Sequence, residues 1–351
     1  MWTVGSPPWL ARAILSLEGG ADQGWLDDAV RAQREMEPVA QDRVRAGGGG
    51  PFRQSGDARR YTHTRQIIPK DGRSEMRIGL DSYAYHRLLG EIRPGEEDSG
   101  ERMTRGSLDV VAEANRLNVS FVSLETCFLP LPSKIDPARY IYEAGSVELG
   151  LSWGHPNGLE YGRNDAALAE LFEWLRVAPD LGCKHVRVVA ASPHVRRDYE
   201  ALSRTARSLA EACIRARDAD VELAIENHAD LTAAEIDALL DQVDGLGVCL
   251  DTVNAIRVGD EPLEATRLLV HRTHVVHLKD VDDPADDSIS GPTAAPLGEG
   301  VVPVVAILEA LNAAGFQGPL CIELGHLGPG VRERTFVEQS LSWLRSALAE
   351  I

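Results

Sequence analysis

Paired cysteines, a long apolar run and an excess of positive charge are all missing from this sequence, and each gap excludes a class of protein. The five cysteines, Cys127, Cys183, Cys213, Cys249 and Cys321, form no C-x-x-C pair. Cys249 and Cys321 fall inside apolar runs. Buried, reduced thiols are therefore expected, not a disulfide framework or a zinc knuckle. No run of 18 apolar residues occurs, so no membrane span is expected. The first residues, Met1 to Leu17, mix Gly5, Pro7, Pro8 and Arg12 into a short apolar stretch. They lack the charged start, continuous apolar centre and cleavage site of a secretory signal, so a cytoplasmic location is expected.

The net charge is −18, which argues against nucleic acid as a partner, because phosphate contacts need a positive surface. Residues 1–75 carry 11 Lys/Arg and 10 Asp/Glu, whereas the remainder carries 25 and 44. The acidity thus belongs to residues 76–351. Such a body is compatible with a neutral sugar or a metal ion and weighs against a multiply phosphorylated substrate.

Organisation follows the same division. Residues 1–75 include Gly47 to Gly50 in a row and have weak apolar periodicity, apart from a short helical pattern around Trp25 to Met36. A poorly ordered extension is expected there, followed by one domain over 76–351. From Met76 onward short apolar runs alternate with amphipathic stretches. The strand candidates are Arg77–Asp81, Val119–Leu124, Val147–Trp153, His185–Ala191, Val221–Glu226, Leu246–Asp251, Thr273–Leu278 and Pro319–Glu323. Leu168, Leu171, Phe172 and Leu175 form a helical stripe between them, as do Leu202, Ala206, Leu209 and Cys213. Thr232 to Glu235 fits a capping box, with Leu231 and Ile236 as its hydrophobic staple. Pro303 stands where a first-turn proline belongs and Gly315 where a helix should stop. Eight strands alternating with helices predict an α/β fold, the (β/α)₈ TIM barrel. An open doubly wound sheet lacks support, because no G-x-G-x-x-G follows the first strand.

Active sites of such barrels collect at the C-terminal ends of the strands. The apolar runs of the last four strand candidates lead into Glu226, Asp251, His277 and Glu323. Each alone has a bland reading. Asp251 could cap the next helix, and His277 could be a satisfied core histidine. Together they deliver three carboxylates and an imidazole to one rim. Like charges raise each other's pKa, and a divalent cation resolves that conflict. Oxygen-rich ligands with one imidazole suit Mn²⁺ best, with Mg²⁺, Co²⁺ or Zn²⁺ also compatible.

The segments around these residues resemble the xylose-isomerase-like sugar phosphate isomerase/epimerase superfamily, which includes the D-tagatose and D-psicose 3-epimerases. The resemblance covers residues 76–351. It is carried by Ala224-Ile225-Glu226-Asn227-His228, Cys249-Leu250-Asp251-Thr252-Val253-Asn254, Val276-His277-Leu278-Lys279-Asp280, Pro296-Leu297-Gly298-Glu299-Gly300 and Cys321-Ile322-Glu323-Leu324. It implies that the four strand-terminal residues bind one divalent metal and that Glu226 and Glu323 double as acid and base. The reaction implied is a sugar isomerisation or epimerisation, by proton abstraction next to a carbonyl through a metal-stabilised enediolate. Two positions depart from the epimerase pattern. Asn254 stands where those enzymes have His, and Asp283 where they have Arg.

Further residues belong to the expected pocket. His228 follows Glu226 by two positions and is a third catalytic candidate. Trp153, as an aromatic platform, and His155 lie after the third strand; Asn254, Lys279 and His326 complete the substrate-binding set. Lys279 and Asp280 also read as a salt-bridged pair. Glu125 ends the second strand and is a weaker pocket candidate. Tyr83, Tyr85 and His86 follow the first strand and are placed to cover the mouth, with packing the default for Tyr83. The acidic pair Asp286-Asp287 and the stretch Ser288 to Pro296 form a long insert of the kind that serves as a lid.

The opening Gly79-Leu80-Asp81-Ser82-Tyr83-Ala84-Tyr85-His86-Arg87-Leu88 is similar to the catalytic (alpha) subunits of bacterial C-glycoside deglycosidases. That branch implies elimination of the aglycone from 3-oxo-glycosides, with His228 as general base and a smaller beta subunit as partner. Partners are thus a small sugar or glycoside, with a homo-oligomer or a smaller beta subunit both open. Endonuclease IV shares the fold but needs three zinc ions and more rim histidines, and an acidic body repels DNA. A sugar-sensing binding module has no need of paired acid–base carboxylates.

Overall fold

A computed structural model of the chain describes residues 76–283 and 291–351. The expectations for 1–75, and for the part of the acidic insert at 284–290, lie outside the described residues. Eight parallel strands close into a barrel. They are β1 (Arg77–Asp81), β2 (Phe121–Glu125), β3 (Glu148–Ser152), β4 (His185–Val188), β5 (Glu222–Glu226), β6 (Leu246–Asp251), β7 (Thr273–Leu278) and β8 (Pro319–Ile322). β1 pairs with both β2 and β8, which closes the circle. The TIM barrel expected from the sequence is the observed fold, and all eight strand candidates are strands.

β2, β3 and β5 begin one or two residues later than the apolar runs suggest. The reason is the end of each preceding helix. Val119, Val147 and Val221 still donate their N–H groups back to Ala114, Ala144 and Ala216. A backbone amide satisfied by a helix terminus cannot also join a ladder.

The two predicted helical stripes lie on helices Asp165–Val177 and Ala201–Asp218. Thr232 and Glu235 make the reciprocal capping box of helix Ala233–Gln242, and Leu231 and Ile236 are both buried beside it. Pro303 is the residue before helix Val304–Ala313 and not its first turn, and Gly315 (φ 74°) follows that helix. No described helix is long and apolar enough to cross a membrane.

Two apolar layers hold the barrel. A large one lies between strands and helices. A small one, Phe121, Ala224, Cys249, Val275 and Cys321, fills the inside. Phe121 fits because Gly150 on the neighbouring strand has no side chain; a Cβ there would come within 2.6 Å of the Phe ring. Cys183, Cys213, Cys249 and Cys321 are buried free thiols, as expected, and Cys127 is half-buried.

Two irregularities shape the ends of the barrel. Between β6 and β7, Val248 opposes Thr273 but Cys249 opposes Val275, so His274 is an extra, bulged residue. After β7, Asp280–Val281 pairs antiparallel with Ala294–Ala295. The Asp280 carboxylate accepts N–H bonds from Gly298, Gly300 and Val302, each at 3.0 Å. Gly300 is required for that approach, since a Cβ would sit 2.2 Å from the Asp280 oxygen.

Candidate functional site

β5 and β6 end in Glu226 and Asp251, His277 is the penultimate residue of β7, and Glu323 follows β8. The alternation of a strand turns these side chains inward at the C-terminal rim. One ligand atom from each of the four lies within 4.8 Å of all the others, and all four residues are buried. His277 Nδ1 approaches Glu323 Oε2 at 2.6 Å, and its Nε2 lies 3.6 Å from Asp81 Oδ2.

The bland reading of Asp251 is true of one of its oxygens. Oδ1 accepts the N–H groups of Val253 and Asn254, each at 2.8 Å, and caps the turn that follows. Oδ2 faces the cluster. Asn227, the residue after β5, fixes the Asp251 backbone, accepting its N–H at 2.7 Å and donating to its carbonyl at 2.8 Å. Asn254 donates to Glu226 Oε1 at 3.1 Å. In this structure it therefore positions a cluster carboxylate.

Asp81 and Arg187 complete the site and were not anticipated. Asp81 ends β1 fully buried, held by the Tyr83 N–H at 2.7 Å and the Ser152 hydroxyl at 3.1 Å. Arg187 points inward from the apolar β4. It bonds Glu125 and lies 2.8 Å from Glu226 Oε2. Lys279 reaches between Asp251 Oδ2 (2.8 Å) and Glu323 Oε1 (2.6 Å). The expected Lys279–Asp280 pair does not form. Neighbours on an extended chain point to opposite sides, so Lys279 serves the rim while Asp280 binds the backbone amides behind it.

Five buried carboxylates, Asp81, Glu125, Glu226, Asp251 and Glu323, thus face two permanent cations, Arg187 and Lys279. An unpaired buried charge costs several kcal/mol, and folds are stable by only about 5–15 kcal/mol, so this imbalance must be relieved. Titration divides the group. Burial raises the pKa of Asp81, Glu125 and Asp251. Burial acts on Glu226 too, but Arg187 holds its pKa below the ordinary value. Against the same burial, Lys279 and His277 hold that of Glu323 well below it. Burial opposes charge on His277, but Cys249 and Glu323 hold its pKa well above normal. A divalent cation fits this set. Glu226 Oε2, Asp251 Oδ2, Glu323 Oε2 and both nitrogens of His277 are buried without an in-line hydrogen bond, although charged neighbours stand close to each. Three carboxylates and one imidazole are donors that could hold such an ion.

The outer residues divide. His228 is half-buried, its Nδ1 has no hydrogen-bond partner, and burial lowers its pKa to about 4, which keeps the imidazole neutral. Trp153 exposes no surface, so no sugar face can lie on it in this conformation; its ring stacks on the half-buried His155 at 5.6 Å. His326 lies against Gly95 and 3.6 Å from Glu96, in the loop after β1, so that loop stands next to it. Tyr85 and His86 are fully buried and belong to the wall, not to a cover over the mouth. Tyr83 packs as expected, against His86 and Phe128, and hydrogen-bonds Glu91. Arg187 was legible in one respect: it is the charged residue inside an otherwise apolar strand.

Comparison with known proteins agrees with this fold. A family model described as "Xylose isomerase-like TIM barrel" matches residues 141–347. Comparison with curated protein sequences finds no match. Among solved structures, an L-ribulose 3-epimerase is 18% identical with a TM-score of 0.61, covering 78% of this chain and 95% of its own. A D-psicose 3-epimerase with D-tagatose, from Clostridium cellulolyticum H10, is 18% identical with a TM-score of 0.58, covering 78% and 98%. A probable 3-DHS dehydratase of petrobactin synthesis from Bacillus anthracis is 13% identical with a TM-score of 0.58, covering 77% and 99%.

Proposed function

This chain belongs to the xylose isomerase-like TIM-barrel family, and we propose that it is a divalent-metal-dependent isomerase or epimerase of a small sugar. The observation that carries the proposal is the convergence of Glu226, Asp251, His277 and Glu323 within 4.8 Å at the C-terminal rim. These four would hold the ion. When bound, it supplies positive charge at the substrate carbonyl, which stabilises the negative charge developing as a neighbouring C–H proton leaves.

The protein's own groups handle the proton. Glu226 and Glu323 are the two cluster carboxylates whose pKa values stay low, so they are ionised and able to accept it. One accepts the proton from carbon and later releases it to water, while the other takes up a proton from water and delivers it on the opposite face or at the adjacent carbon. Asn254 and Arg187 fix both oxygens of Glu226. His155 and Lys279 are proposed to bind sugar hydroxyls at the edge of the cluster. His326 joins them from the loop side. Solved structures titled as 3-epimerases share the fold, which supports a ketose as the first substrate to try.

A second reading is favoured by His228. A neutral imidazole beside Glu226 with an unpartnered nitrogen has the properties of a general base. That reading makes the chain the alpha subunit of a C-glycoside deglycosidase, with a smaller beta partner. One experiment separates the two. The protein is incubated in deuterium oxide with Mn²⁺ and a panel of ketoses and 3-oxo-glycosides. Epimerisation washes deuterium into the sugar at the inverted carbon, and His228→Ala then lowers affinity more than turnover. Elimination releases the aglycone, and His228→Ala then costs as much as loss of either Glu. A protein that labels no ketose and releases no aglycone overturns both.

The domain boundary is part of the same proposal. β1 begins at Arg77 and pairs on both sides, so residues 76–351 contain every strand of the barrel. A chain starting at Met76 is expected to keep the melting temperature and the activity of the full protein. Loss of cooperative unfolding in that truncation would show that residues 1–75 contribute to the core.

A further inference from the structure

We propose that the floor of the barrel, at the opposite end from the rim, carries a second metal site that binds Zn²⁺ through His185, Glu222 and His274. His185 and Glu222 open β4 and β5, and His274 is the second residue of β7. One donor atom of each lies within 4.8 Å of the others. His185 Nδ1 is 3.0 Å and His274 Nδ1 is 3.4 Å from the same oxygen, Glu222 Oε2. Neither nitrogen makes an in-line hydrogen bond to it, and both are buried. A simple ion-pair network would aim at least one N–H along the line to that oxygen. Two imidazole nitrogens gathered around one carboxylate oxygen are instead the donor set of a transition metal.

The backbone is shaped to produce this convergence. His274 is the extra residue of the β6–β7 bulge, and a bulge re-aims a side chain. Its ring lies over Gly247 on β6, where a Cβ would come within 2.3 Å of Cε1. The missing side chain of Gly247 lets His274 reach across β6 to Glu222 on β5. His185 needs no such device, because it stands opposite Glu222 in the β4–β5 register.

An outer shell is present as well. The second nitrogen of His185, Nε2, lies 3.5 Å from Glu148 Oε1, and Arg77 donates to Glu148 Oε2 at 2.5 Å. A carboxylate that holds the far nitrogen of an imidazole fixes its tautomer and presents the near nitrogen to a metal. The Phe121 ring packs edge-on against His185 at 6.0 Å and closes the site from inside the barrel. The Glu222 side chain is 57% exposed, so water can complete a four-coordinate shell from below. Two imidazoles and one carboxylate suit Zn²⁺, whereas the oxygen-rich rim suits harder ions. The ion would tie three strands together far from the rim, so its role is to stabilise the barrel.

The test is calorimetric titration of the untagged full chain with Zn²⁺ after chelator treatment, together with melting curves. The wild type is expected to take up two equivalents, and its melting temperature to rise by several degrees as the floor site fills. His274→Ala, and the shape-preserving Glu222→Gln, should each lose one equivalent and that part of the thermal shift while retaining Mn²⁺-dependent turnover. Asp251→Ala should lose the other equivalent. The equivalent lost there judges the rim and the equivalent that remains judges the floor, so the two sites fail or stand separately. Unchanged stoichiometry in both floor variants, or an Asp251→Ala protein that takes up no Zn²⁺, overturns the proposal.

Discussion

Glu226→Gln and Glu323→Gln, made separately, are expected to lower kcat by about 10²–10⁴-fold or more, the range that general acid–base catalysis alone supplies. Glutamine keeps the volume and one oxygen but cannot accept a proton. The two variants are not equivalent in what they leave behind. Without the Glu226 charge, Arg187 loses one of its two carboxylate partners and keeps Glu125. Without the Glu323 charge, Lys279 keeps Asp251, but His277 loses the partner at its Nδ1. Glu323→Gln should therefore also weaken binding of the ion, and Glu226→Gln should act more on turnover. Steady-state kinetics at saturating Mn²⁺, with the metal dissociation constant measured alongside, separates these effects. Turnover within threefold of the wild type in both variants would remove the acid–base roles.

Removal of the metal is expected to be equally severe. Chelation with EDTA should abolish activity, and Mn²⁺ or Co²⁺ should restore it. Asp251→Ala and His277→Ala should each strip most of the rim metal, measured by elemental analysis, because each deletes one of four ligands. The protein should remain folded through chelation. Lys279 and Arg187 already stand among the carboxylates, so loss of a divalent ion does not leave the cluster without positive charge. Full turnover in a sample with no detectable divalent ion would sink the proposal.

The frame and the four rim residues were legible in the sequence for one reason. A parallel barrel strand is a short apolar run, and the polar residue that ends it stands out. Asp81 carries the same mark at the end of β1, and its place beside His277 follows only from the closure of β1 onto β8. Arg187 was visible as a charge within an apolar strand, but its two carboxylate partners come from β2 and β5, distant in sequence. Exposure was the least legible quantity. Trp153 follows a strand as a sugar platform would, yet the packing around β3 leaves it no surface. The Lys279–Asp280 pair failed on direction, since adjacent side chains diverge. The floor cluster was hidden because its residues lie at the starts of strands, and its geometry depends on a bulge that no hydrophobic pattern reveals.

Asp280 has a consequence for anyone redesigning this protein. Its carboxylate gathers the amides of Gly298, Gly300 and Val302, and the ribbon Asp280–Val281 with Ala294–Ala295 closes the base of the segment between them. The chain is thereby fastened at both ends of that segment, independently of Lys279 and the rim. Such an arrangement is a grafting point. Changes between Asp283 and Gly291 leave every bond of the clasp outside the altered span.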